Sequence, residues 1–159
     1  MSSILKLFND FSYKEKSILI SLVAIVVIYG GYFFDLLNGQ TEQTMAAMLA
    51  SMTGIVIALV VIHVIFHIVI SLDDVEEAED ERDKAVARRA SVFGFNVLFV
   101  AVLLVTGRIV ILGAWSDGAD VAGLPGSFEV ANLLLAGLVV SEVIYYAAQL
   151  FFYRWGVRG

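Results

Sequence analysis

Two histidines lie four residues apart in the stretch VIHVIFH, inside a long apolar run. Residues four apart fall on one face of an α-helix, so His63 and His67 could bind one transition-metal ion together. Glu142, inside another apolar run, would supply a third ligand. The glutamate of the metalloprotease pattern H-E-x-x-H is missing, because residues 64–66 read VIF. The spacing therefore indicates a metal site as one of three alternatives.

The other two alternatives use the same residues as part of a polar stripe. Histidine titrates near neutral pH, so the stripe could relay protons or line a cation conduit. It could equally be a hydrogen-bonded seam that holds helices in register. Positions 142, 146, 149 and 153 are all polar, and at about 100° per residue they fall within about 60° of one another on a helix. The predicted intramembrane seam consists of His63, His67, Asn96, Glu142, Tyr146 and Gln149.

The elements that carry these residues are predicted membrane spans. Hydrophobic residues make up 60% of the 159 residues and charged residues 16%, and the mean hydropathy is +0.87, which is outside the range of soluble domains. The apolar runs are continuous rather than alternating, and lipid offers the backbone no partners, so each run must be helical. We expect an all-α four-helix bundle, one membrane domain over residues 1–159, with spans at 17–37, 49–72, 91–112 and 128–153.

Basic residues predict the orientation of the bundle. Nine of the ten Lys and Arg precede the first span, lie between the second and third, or follow the fourth. The positive-inside rule therefore places both termini and the middle loop in the cytoplasm. Residues 1–16 read as a short amphipathic helix on the inner leaflet, or as an ordinary lead-in. The tenth basic residue, Arg108, and Asp35 have matching depths, so an ion pair is expected, with separate snorkelling as the alternative.

The second span carries a stripe of small residues. They recur every four positions, which lets another helix approach closely. The stripe is centred about 140° from the histidines, so if both faces are used, this helix lies at the bundle centre or at an oligomer interface. The alternative is a small monomeric bundle with one tight seam. The expected partners are the lipid bilayer and either a second copy or another membrane protein. Nucleic acid is not expected, since no basic patch is present. The members of this stripe are Ala46, Ala50, Gly54 and Ala58.

Segment 73–90, between the second and third spans, holds the densest charge in the chain. We expect a charged cytoplasmic helical hairpin, in which Asp80 pairs with Lys84 one turn on. A docking surface for a basic partner and a divalent-cation site are alternatives, although the D-x-[DN]-x-[DN]-G pattern of a calcium loop is missing. The carboxylates of this acidic surface are Asp73, Asp74, Glu76, Glu77, Glu79, Asp80, Glu81 and Asp83.

The stretch DERDKAVARRASVFGFNVLFVAVLL resembles small polytopic membrane proteins of bacteria and archaea that form a family of unknown function. In that family an acidic D-E-R-x segment, an apolar position and a K/R-A pair run directly into a membrane helix. The resemblance implies a prokaryotic cytoplasmic membrane protein and no particular activity. The matching positions are Asp80, Glu81, Arg82, Asp83, Val86, Arg89 and Ala90.

Catalytic patterns are missing from the sequence. There is no cysteine, and no nucleophile elbow, phosphate-binding glycine loop or dinucleotide fingerprint. We therefore predict a non-catalytic accessory, regulatory or assembly subunit without a cofactor. The alternatives are a proton or cation conduit and a membrane protein that binds a divalent metal.

Overall fold

The computed structural model describes residues 11–71, 80–115 and 126–156. Over these ranges the chain is an all-α four-helix bundle, and all four helices are long and apolar enough to cross a membrane. The helices are α1 (Tyr13–Leu37), α2 (Met45–Ser71), α3 (Glu81–Trp115) and α4 (Ser127–Phe151), and α4 continues as a π-helical turn, Phe152–Gly156.

The helices begin earlier than the apolar runs because polar residues cap them. Ser12 precedes α1 and forms a reciprocal capping box with Glu15, in which the Glu15 amide donates to Ser12 Oγ at 3.3 Å and the Ser12 amide to Glu15 Oε2 at 2.9 Å. Asp80 caps α3 in the same way, since it accepts from the Asp83 amide at 2.7 Å. Residues 81–90 of the expected charged hairpin are thus the first turns of α3.

Two predicted segments fall largely outside the described residues. Of the amphipathic lead-in, only residues 11–16 are described, and the last four form the first turn of α1. Of the hairpin, residues 72–79 are not described. At the opposite end of α1 the chain turns at Gly39, whose φ of +69° favours glycine. Thr44 then caps α2, where it accepts from the Ala47 amide at 3.2 Å.

The central helix of the bundle is α4. It contacts α1, α2 and α3, whereas α2 packs on α1 and meets α4 more lightly. Ile55 is the single buried hydrophobic residue among those described in α2. The alternative that places the second span at the bundle centre is therefore wrong for the described residues of a single chain. Many apolar side chains of α2 and α3 point outward, where they suit contact with lipid.

Helices α3 and α4 approach each other closely at their glycines. A Cβ on Gly137 of α4 would lie 2.6 Å from the Cβ of Ala101 in α3. A Cβ on Gly94 of α3 would lie 3.2 Å from the carbonyl oxygen of Ser141. Ala90 and Gly94 are four apart, as are Gly137 and Ser141. These two small-x-x-x-small patterns let the helix backbones approach, so they place α4 against α3.

The two ends of the bundle are distinguished by their contacts. The near end holds the start of α1, the start of α3 and the π-helical turn, because Lys14 lies 3.9 Å from Asp83 and Tyr153 donates to the same carboxylate. The far end holds the end of α1 and the start of α4, because Tyr32 donates to Asn132. Neighbouring helices in the chain are thus antiparallel.

Candidate functional site

Ser21 of α1 is the meeting point of three helices. Its Oγ lies 3.0 Å from Nε2 of His63 in α2, and Tyr146 of α4 interacts with the same side chain. Nδ1 of His63 lies 2.8 Å from the carbonyl oxygen of Leu59. A carbonyl oxygen only accepts, so Nδ1 must carry a hydrogen and donate. Ser21 is buried, with 6% of its surface exposed.

The hydroxyl of Ser21 can satisfy either protonation state of His63. Its Oγ lies 3.0 Å from the Ser17 carbonyl as well as 3.0 Å from Nε2. If the single hydroxyl hydrogen goes to Nε2, the imidazole is neutral and Ser17 loses a partner. If the hydrogen goes to Ser17, Nε2 must donate and the imidazole is charged.

The polar stripe of α4 extends from this cluster in both directions. Glu142, one turn toward the far end, interacts electrostatically with Tyr146. Gln149, one turn toward the near end, is buried, with 7% of its surface exposed. Asn96 of α3 does not join the seam, since its side chain is exposed. His67 lies in α2, but its side chain is outside the described part of the structure.

The predicted metal ligands remain untested as a set. Among the residues that the structure describes, no three His, Cys, Asp or Glu side chains lie together as a metal site. His67 cannot enter that search because its side chain is not described. A site formed by His63, His67 and Glu142 therefore stays a prediction.

A network of charged and polar groups joins α1, α3 and the π-helical turn at the near end. Tyr153 donates to Asp83 Oδ1 at 2.6 Å, and Lys14 Nζ lies 3.9 Å from Oδ2 of the same carboxylate. Arg82 donates to the Tyr153 carbonyl at 3.1 Å, and its guanidinium lies 5.8 Å from the tyrosine ring centre. Asp83 is thus bonded within the bundle rather than presented to a partner.

Two other acidic residues of the predicted surface, Asp80 and Glu81, lie at the start of α3. Asp80 caps α3, and Lys84 pairs with Glu81 at 3.5 Å, whereas a pair with Asp80 was expected. Side chains of this sort at the start of a helix stabilise it, because they meet the positive end of the helix dipole. The remaining members, outside the described residues, are Asp73, Asp74, Glu76, Glu77 and Glu79.

Arg108 at the far end pairs with a partner that was not expected. Its Nη2 lies 2.5 Å from Oε1 of Glu129 in the first turn of α4. Asp35, the expected partner, is exposed near the end of α1. The bond links α3 to α4, which already pack closely, so Arg108 reaches a carboxylate on the neighbouring helix.

Asn132 forms a second polar contact at the far end that the sequence interpretation missed. Tyr32 of α1 donates to its Oδ1 at 2.6 Å, and its Nδ2 donates to the Phe128 carbonyl at 2.9 Å. Tyr32 and Asn132 are both 7% exposed. The signal was present, since each is a polar residue near the far end of a span. The sequence interpretation also missed Ser21, a polar residue that lies at the depth of His63.

The small-residue stripe of α2 is largely open in the structure. Ala46, Ala50 and Gly54 are exposed, and Ala58 is half-buried. A Cβ added at Gly54 would meet nothing within 4 Å. The stripe therefore makes no tight seam inside this bundle, and its role as a packing face stays a prediction.

Comparison with known proteins supplies no relative. The chain matches no protein-family model, no curated protein and no solved structure. The resemblance of residues 80–104 to a family of small polytopic membrane proteins therefore stays an expectation.

Proposed function

We propose that this chain is a non-catalytic membrane protein that acts as an accessory, regulatory or assembly subunit through the outer face of α2. It is a multi-pass protein of the prokaryotic cytoplasmic membrane with both termini in the cytoplasm. The observation that carries the proposal is the contrast between Gly54, the one glycine of α2, and the two glycines of the α3–α4 seam. Gly94 and Gly137 are covered by the partner helix, whereas Gly54 lies open.

The contrast between covered and open glycines matters because of the way in which helices associate in lipid. Lipid tails are as apolar as leucine, so helices associate through close packing and hydrogen bonds rather than through the hydrophobic effect. A row of small residues contributes to association only where a second helix covers it. Within the chain, α3 and α4 use their small residues in this way. The stripe at Ala46, Ala50 and Gly54 offers the same surface to a second copy or to another membrane protein.

The polar groups inside the bundle support a non-catalytic role. Ser21 links His63 to Tyr146, and Asn132 links α1 to α4 through Tyr32. Buried side-chain oxygen and nitrogen atoms among the described residues all have hydrogen-bond partners. Groups that are saturated by contacts within the protein stabilise helix register and have little capacity for a substrate.

The orientation follows from the basic residues at the near end. Lys14, Lys16, Arg82, Lys84 and Arg154 all lie there, whereas Arg108 is the described basic residue of the far end. The near end therefore faces the cytoplasm under the positive-inside rule. The acidic segment 73–79 lies outside the described residues, and we propose that its carboxylates dock a basic partner.

The oligomeric mass in detergent tests the proposal. Gly54→Leu and Ala50→Leu fill the open stripe, so each should lower the mass measured by native mass spectrometry or light scattering. Gly30→Leu is the matched control, because Gly30 of α1 is also exposed and a Cβ there meets nothing within 4 Å. An oligomer that survives both α2 changes, or a protein that is monomeric throughout, would refute assembly through this face.

A second test concerns the acidic segment. Replacement of the five carboxylates at positions 73–79 by Asn and Gln removes the charge and leaves the Asp80 cap and Asp83 in place. A partner that co-purifies with the wild type should then be lost while the helical circular dichroism is unchanged. Retention of that partner would exclude the acidic segment as the docking surface.

The conduit alternative retains one supporting observation. The polar stripe of α4 continues from Glu142 through Tyr146 and Gln149 toward Tyr153, which is bonded to Asp83 at the near end. Proton flux into proteoliposomes separates the two functions. Flux that is lost in Glu142→Gln and His63→Ala would favour the conduit over the accessory subunit.

A further inference from the structure

A groove of about 490 Å³ opens between α1 and α4 at the near end of the bundle. Its mouth holds Phe11, Arg154 and Trp155, and its deeper walls are apolar. Trp155 is 75% exposed, as expected for a side chain at a membrane interface. The residues of the deeper walls are Leu19, Leu22, Ala147, Leu150 and Phe151.

The length and depth of the groove match one leaflet of a bilayer. From Ala147 to Trp155 the α4 wall rises about 12 Å at 1.5 Å per residue. Half of a hydrocarbon core about 30 Å thick is about 15 Å. The groove thus begins at the interface and ends near the bilayer centre, which is the space occupied by one acyl chain.

The cation at the mouth is held in a fixed position. Arg154 Nε donates to Oε1 of Glu15 at 3.0 Å, and the guanidinium carbon lies 4.1 Å from the centre of the Phe11 ring. Glu15 is itself held by Ser12 through the capping box. An arginine has five N–H donors in a rigid fork, so a bond through Nε leaves donors for a phosphate.

The charge around the mouth favours an anionic ligand. Arg154 is the one charged residue among those that line the groove. A zwitterionic headgroup would bring its own ammonium toward this guanidinium. A headgroup with a phosphodiester and no ammonium avoids that repulsion.

We propose that the groove binds an anionic glycerophospholipid. The phosphate lies on Arg154, and one acyl chain lies along Leu19, Leu22 and Leu150 toward the bilayer centre. The site requires both parts of the lipid, since the arginine positions the headgroup and the apolar walls bind the chain. It does not depend on the α2 face or on oligomerisation.

Native mass spectrometry of the purified full chain with defined lipids tests this site. The probes are phosphatidylglycerol and phosphatidylcholine with identical acyl chains. We expect phosphatidylglycerol to bind more tightly by roughly fivefold, the preference that one basic residue near the interface provides. Arg154→Gln should abolish the preference, and Arg154→Lys should retain part of it. Lys84→Gln is the control, because Lys84 is an exposed near-end cation outside the groove and should leave the preference intact.

A second variant tests the acyl-chain part independently of charge. Ala147→Phe fills the groove and should weaken both lipids by a similar factor while the preference between them persists. Inorganic phosphate at millimolar concentration should fail to displace the lipid, because it lacks the chain. Equal binding of the two lipids by wild type, an Arg154→Gln protein that keeps the preference, or displacement by phosphate alone would each overturn the proposal.

Discussion

The link between Ser21 and His63 leads to an unexpected order of stabilities. Ser21→Ala removes the partner of two side chains at once, because Nε2 of His63 lies 3.0 Å from Ser21 Oγ and Tyr146 interacts with the same side chain. His63→Leu leaves Ser21 bonded to the Ser17 carbonyl at 3.0 Å and to Tyr146. Ser21→Ala should therefore lower the free energy of unfolding more than His63→Leu, although serine is the smaller side chain.

The magnitudes follow from hydrogen-bond energetics. A buried polar group left unsatisfied costs about 1–3 kcal/mol, so we expect Ser21→Ala to lower the free energy of unfolding by about 2 kcal/mol. His63→Leu should cost less than about 1 kcal/mol, since it strands no partner and places an apolar side chain in an apolar helix. Interhelical hydrogen bonds in membrane proteins are worth about 0.6 kcal/mol on average and at most about 1.7 kcal/mol. The coupling energy between the two changes should lie in that range.

Reversible unfolding in mixed detergent micelles, followed by helical circular dichroism, measures these quantities in a double-mutant cycle. Thr53→Ala is the control, because Thr53 is an exposed hydroxyl of α2 that bonds only the Leu49 carbonyl of its own helix, at 2.9 Å. Thr53→Ala should therefore leave the free energy of unfolding almost unchanged. A larger loss in His63→Leu than in Ser21→Ala, or a coupling energy near zero, would refute the three-helix link and the structural role that we assign to it.

Two further changes have expected outcomes that the same unfolding assay can check. Gly137→Ala places a Cβ 2.6 Å from the facing helix and should destabilise the protein by about 1–3 kcal/mol through overpacking. Gly54→Ala meets nothing within 4 Å and should be neutral or stabilising by up to about 1 kcal/mol, since it removes a helix-interior glycine; equal effects at the two sites would contradict the assigned α3–α4 seam. Glu129→Gln should cost about 0.2–1 kcal/mol as the loss of an exposed ion pair, and Asp35→Asn should change little. A larger loss of stability for Asp35→Asn than for Glu129→Gln would indicate that Asp35, and not Glu129, is the partner of Arg108.

Four helices long and apolar enough to cross a membrane were predictable from the sequence alone, whereas the helix starts, which lie one to ten residues before the predicted spans, were not predicted. Continuous apolar runs can exist in lipid only as helices, because the backbone finds no other hydrogen-bond partner there. The capping pair Ser12 and Glu15 is a local pattern that depends on no distant residue. Features of this kind follow from the chain's own composition, which is why the four helices were predictable.

Which helix faces meet, and which polar groups pair, depends on contacts between residues that are distant in the sequence. Arg108 bonds Glu129, and α4 rather than α2 is central. Hydropathy cannot supply this information, because a helix that is apolar all round has no face that its composition directs inward. In lipid, a few glycines and a few hydrogen bonds select the faces. Gly137 and Ser21 are two such residues, and each has an effect only through the neighbour that the folded bundle brings to it.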